Sequence, residues 1–145
     1  MCSSDLQSEL WGSFRVGKRV KVVNVIEGDH FIESSVRFFE GSVTHTRRFK
    51  FMENSIQISD SVSGEILEAE SFLYVDKNSQ IAESNSELNS DIASIAFRGA
   101  LKINVERAIA SKEFNKIESC QRLTILFNRE LITTITLQGL ANSGK

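Results

Sequence analysis

The sequence predicts an all-β fold: an antiparallel two-sheet β-sandwich. Two observations carry this. Turn signals recur at Gly28-Asp29, Glu40-Gly41, Glu53-Asn54, Ser63-Gly64, Arg98-Gly99 and Asn128-Arg129, and short runs rich in Val, Ile, Phe and Thr lie between them. Within those runs apolar and polar residues alternate, which is the period of a strand and not of a helix.

The clearest alternation covers residues 43–51. It sets Val43, His45, Arg47, Phe49 and Phe51 on one face and Thr44, Thr46, Arg48 and Lys50 on the other. Residues 55–62 follow suit, with Ile56, Ile58, Asp60 and Val62 together, and residues 131–137 align Leu131, Thr133, Ile135 and Leu137. Further strands are expected at 20–26, 30–38, 66–75, 92–97, 101–108 and 122–127. Residues 77–91 are rich in Ser, Asn, Gln and Glu, and read as an exposed loop or a poorly formed edge. Residues 104–114 read as strand-turn-strand; Val105, Ala108 and Ile109 also fit helical spacing, but both neighbours are strands. The chain has no proline, so its sheet edges lack that protection. Strands with one half-buried face each pack as two layers over one core.

Composition bounds the function. The chain has 145 residues, 41% hydrophobic and 25% charged, enough for one domain with a core. Its 17 Lys and Arg stand against 19 Asp and Glu, a net charge of -2, which speaks against a general nucleic-acid binder. No apolar run approaches the roughly 18 residues of a membrane span. Cys2 and Cys120 have neither metal-ligand nor redox spacing; Cys120 reads as a small core residue.

Residues suited to chemistry are few. His30 and His45 are the only histidines and Tyr74 the only tyrosine. The chain has no phosphate-binding glycine loop, nucleophile elbow or paired metal-binding histidines. Asp60 is placed to pair with Arg47 or Arg48 across a hairpin centred on Glu53-Asn54, a sheet-stabilising pair. His45 reads as a satisfied core histidine and His30 as an exposed turn residue. Arg15, Lys18, Arg19 and Lys21 precede the first clear strand, and Arg47, Arg48 and Lys50 lie on another. Arg15, Lys18, Arg19, Arg48 and Lys50 are the candidate contacts for an acidic polysaccharide; the competing expectation is a solvated strand face with weak surface pairs.

Two stretches carry a resemblance. "SELWGSFRVGKRVKV" and "GSVTHTRRFKFMENSIQISDSVSG" are similar to segments in the C-terminal β-domain of heparinase II/III-like proteins, the polysaccharide lyase superfamily that includes heparin and alginate lyases. The second matches a His-x-Arg-x-Phe strand, a turn and an Ile-x-Asp-x-(Val/Ile)-x-Gly strand through His45, Arg47 or Arg48, Phe49, Ile58, Asp60, Val62 and Gly64. The resemblance covers about residues 8 to 75 and is only general beyond.

It implies that the sandwich is truncated at its N-terminal side, and that the parent protein has an N-terminal helical toroid and cleaves a uronate-containing polysaccharide by β-elimination in the periplasm or outside a bacterial cell. The family's His-Asn-Thr motif and His-rich segment have no counterpart here, so the resemblance assigns no catalytic and no metal residue. It implies no cofactor for this chain, while allowing a divalent metal in the parent. Residues 1–6, "MCSSDL", match one reading frame of a common sequencing adapter and are expected to be a non-native leader. Residues 7–138 are then the sandwich and 139–145 a tail. The expected function is a lyase's β-sandwich fragment, inactive alone; the alternative is a free-standing carbohydrate-binding or structural module. Partners implied are an acidic polysaccharide and the toroid, with no nucleic acid and no membrane span.

Overall fold

Alternating residues form ten strands in the computed structural model, which describes residues 10–11, 14–15, 20–38, 42–65, 68–79, 87–89, 92–113 and 116–138. The expected leader, the tail, Lys18, Arg19, the Glu40-Gly41 turn and most of 77–91 lie outside the described residues. In chain order the strands are β1 (Leu10–Trp11), β2 (Phe14–Arg15), β3 (Val20–Gly28), β4 (Phe31–Phe38), β5 (Thr44–Met52), β6 (Ser55–Ser63), β7 (Ala69–Asp76), β8 (Glu87–Asn89), β9 (Ala93–Glu113) and β10 (Lys116–Leu137). All pairings are antiparallel, and no helix occurs among the described residues.

β1 and β2 form a two-stranded pair of their own; the other eight strands form one hydrogen-bonded sheet. That sheet makes two layers because β9 and β10 are shared. The C-terminal half of β10 pairs with β6 through Glu130–Thr136, and its N-terminal half pairs with β7 through Cys120–Phe127. β9 follows β10 along both halves. One layer is therefore β3-β4-β5-β6-β10-β9-β8, and the other is β7-β10-β9.

Two of the expected turns are corrected. Arg98-Gly99 and Asn128-Arg129 do not reverse the chain. They form one bulge within continuous strands, between the Phe127↔Ala100 and Ile132↔Arg98 pairs. Residues 128–131 stand against Gly99 alone. A bulge adds length to one strand and bends the ladder; here it carries both strands from one layer into the other. Gly99 has φ +89, and a Cβ there would collide with the Glu130 carbonyl oxygen. The expected strands 92–97 and 101–108 are thus one strand, as are 122–127 and 131–137. The strand-turn-strand expected at 104–114 is strand throughout 104–113, and the reversal falls after Glu113, which pairs with Lys116. Glu87–Asn89 supplies a short edge strand within the polar segment 77–91.

The core lies between the layers. Val62, Leu88, Ile95, Phe97 and Leu131 from the wide layer meet Ala69, Leu123, Ile125 and Phe127 from the narrow one. Leu123 and Leu131 are fully buried and Ile125 nearly so, each burial contributing about 1.5–3 kcal/mol. Cys120 is free and buried. The narrow layer does not cover the wide layer's whole inner face. Val22, Val25, Ile32, Phe51 and Ile56 share that face by register and are exposed.

Candidate functional site

The β5–β6 turn at Glu53-Asn54 fixes a register that sets Arg47 directly opposite Asp60 and His45 opposite Val62. Directly opposed and diagonal neighbours touch across an antiparallel pair, so both His45 and Arg47 reach the Asp60 carboxylate. His45 Nε2 lies 2.8 Å from Asp60 Oδ1. Arg47 donates from Nε to Oδ1 at 2.7 Å and from Nη2 to Oδ2 at 3.2 Å. Arg47 Nη2 also reaches Ser71 Oγ of β7 at 3.5 Å, which links the two layers. The Asp60 side chain is 2% exposed, His45 18% and Arg47 40%.

An ionised carboxylate only accepts hydrogen bonds, so the proton in the His45–Asp60 contact sits on Nε2. Burial pushes the Asp60 carboxyl upward. The hydrogen bonds and charges of His45 and Arg47 more than offset that and hold it below its usual range. A carboxylate held by three donors is a poor proton acceptor. The cluster therefore acts as a clamp between strands and layers. The partner of Asp60 is Arg47, not Arg48, which points the other way.

Arg48 and Lys50 are exposed on the outer face of the wide layer. The Arg48 guanidinium lies 4.0 Å from the Phe31 ring centroid and 3.9 Å from Glu33. Arg15 belongs to β2, but its side chain, like Lys18 and Arg19, lies outside the described residues, so of the five contacts expected from the sequence Arg48 and Lys50 are the ones placed. The register adds two others: Lys21 and Arg37 oppose each other on the same outer face, both exposed. Sequence reading missed Arg37; its alternation with Ser35 and Glu33 was the available signal. Lys21, Arg37, Arg48 and Lys50 face one acid, Glu33, among the described residues on the outer face of β3–β5.

Tyr74 is exposed on the outer face of the narrow layer, the side away from His45, and His30 is exposed in the β3–β4 turn. The only tyrosine and the half-buried histidine thus share no site. An open groove of about 870 Å³ lies at the far end of the narrow layer, where Lys77, Arg107 and Gln121 meet the apolar Val105 and Ile109. Gln121 Nε2 closes the turn above it by donating to the carbonyls of Lys77 (2.7 Å) and Ser79 (3.1 Å). Among the described residues no group of three or more His, Cys, Asp or Glu is placed to hold a metal ion.

No protein-family model matches the chain, and no curated protein matches it in sequence. Solved structures do. The chain is similar to the "Heparinase III-BT4657 gene product", with a TM-score of 0.66 and 12% identity over 83% of this chain and 22% of that one. The same product with methylated lysines gives 0.61 and 11%, over 83% and 21%. The chain spans about a fifth of the length of these structures, and at this identity the likeness is one of fold.

Proposed function

We propose that this chain is the β-sandwich portion of a heparinase II/III-like polysaccharide lyase acting on a uronate-containing polysaccharide by β-elimination, and that it is inactive on its own. One observation carries the reading: the segments that resemble the family, His45 to Phe49 and Ile58 to Gly64, build the clamp at the heart of a sandwich whose fold is like part of a heparinase III.

In β-elimination a base removes the C5 proton, the carboxylate on that carbon is neutralised, and the glycosidic oxygen leaves from C4. A proton next to an ionised carboxylate is hard to remove until that charge is offset. Nothing described here combines a free base with a neutralising cation in one cleft: Asp60 is fully engaged, and Tyr74 and His45 lie on different faces. The catalytic groups, and any metal the parent holds, belong in this reading to a helical toroid and to upstream parts of the β-domain. The chain's part is to present the cationic outer face of Lys21, Arg37, Arg48 and Lys50 to the polyanion. A periplasmic or secreted bacterial location belongs to the same reading.

The test is the intact gene and its product. It should encode a helical toroid and a His-Asn-Thr segment upstream, and the full protein should release unsaturated uronate, seen by absorbance, from heparin, heparan sulfate, alginate or hyaluronan. The isolated chain should release none. An intact gene without the toroid, or product formation by the isolated chain, would overturn the reading.

A further inference from the structure

We propose that the outer face of the narrow layer is a binding platform for an uncharged saccharide chain. Tyr74 and Phe72 are 52% and 38% exposed and project from the same side of β7, about 6.6 Å apart along the strand. The register places Tyr74, Arg122 and Glu106 in one row across β7, β10 and β9, and Phe72, Thr124 and Asn104 in the next.

The polar part of the row is pre-ordered. Arg122 donates to Glu106 Oε1 from Nε at 2.9 Å and from Nη2 at 2.5 Å, and its guanidinium lies 5.4 Å from the Phe72 ring centroid. Side chains already held in place lose little freedom when a ligand arrives.

The chemistry favours a sugar over a protein. The centre of a protein interface is depleted in charge, and a protein covering this face would have to desolvate the Arg122–Glu106 pair. A pyranose ring presents an apolar C–H face that stacks on an aromatic ring, while its hydroxyls both donate and accept. Both Arg122 bonds to Glu106 fall on Oε1, so Oε2 can accept from a hydroxyl. The charge balance points to an uncharged chain. Among the described residues this face carries Arg122 and Lys102 beside Glu70, Asp76, Glu106 and Glu118, so it lacks the cationic excess of the opposite outer face. The platform stands independently of the lyase reading.

The whole chain is titrated with cellohexaose, mannohexaose and a heparin hexasaccharide while backbone amide shifts are followed by NMR. At least one neutral hexasaccharide should shift amides at 72–74, 104–106 and 122–124. Tyr74→Ala should weaken that binding by about tenfold or more, about 1.4 kcal/mol, and Tyr74→Phe should retain most of it. Tyr74 is exposed, so an otherwise unchanged amide spectrum establishes that the variant is folded. Binding by heparin alone, no shift at these amides with either neutral probe, or equal affinity of Tyr74→Ala and the native chain would overturn the proposal. Lyase activity of the full protein has no bearing on any of these outcomes.

Discussion

Arg47 and Asp60 face each other across the β5–β6 hairpin, with Nε 2.7 Å from Oδ1 and Nη2 3.2 Å from Oδ2. The same guanidinium touches Ser71 in the other layer, so one carboxylate orders both a strand pair and a layer contact.

The pH dependence of stability follows from this pair. Asp60 is held below its ordinary range in the fold, so the unfolded chain takes up its proton first. The stabilisation is fully present above the unfolded carboxyl value of about 3.9 and is lost as pH falls through the lower folded value. Asp60→Asn should cost about 2–3 kcal/mol at neutral pH, short of the 3–5 typical of a broken buried pair because Arg47 is partly solvated. It should also flatten the acid limb. Urea unfolding from neutral pH down to about pH 3 measures both; an unchanged acid limb would show that other carboxyls control it.

Gly99→Ala should destabilise the chain by more than about 1 kcal/mol, because the left-handed backbone there disfavours a side chain and the new methyl meets the Glu130 carbonyl. For a chain of this size that is a fall in Tm of about 3 °C or more. A thermal melt equal to the native one would mean that the bulge relaxes freely.

Reversing charge on the wide layer's outer face should weaken contact with a polyanion. Arg48→Glu and Lys50→Glu should each elute earlier than the native chain from immobilised heparin in a salt gradient, since exposed charges act through screened, long-range attraction. Elution at the same salt would remove this face from the proposed function.

The uncovered inner face should make the chain associate. Val22, Val25, Ile32, Phe51 and Ile56 form an apolar surface with no described covering layer, and contiguous exposed apolar patches drive association. Size-exclusion chromatography over a concentration series should show growing oligomers. Phe51→Lys should restore a monomer peak; a native chain that stays monomeric throughout would mean that the face is covered in solution.

The strands were readable wherever alternation was undisturbed. Residues 43–51 and 55–62 announced β5 and β6, and with them the face that carries His45, Arg47 and Asp60. The continuity of β9 and β10 was not readable. A glycine at positive φ serves a hairpin turn or a bulge equally well, and only the distant pairing of Phe127 with Ala100 and of Ile132 with Arg98 decides between them. The row of Tyr74, Arg122 and Glu106 was hidden for the same reason. Its members are far apart in sequence, and only the register of three strands brings them together.

The shared strands bear on how the molecule comes apart. In a sandwich of two separate sheets, one can loosen while the other persists. Here every backbone ladder of the narrow layer is also made by β9 or β10, and those strands continue into the wide layer. The layers use different residue pairs along these strands but share their backbones, so disorder in one passes directly into the other. The two should therefore melt in a single cooperative transition, with refolding slowed by the long-range pairings that must form before either layer is complete.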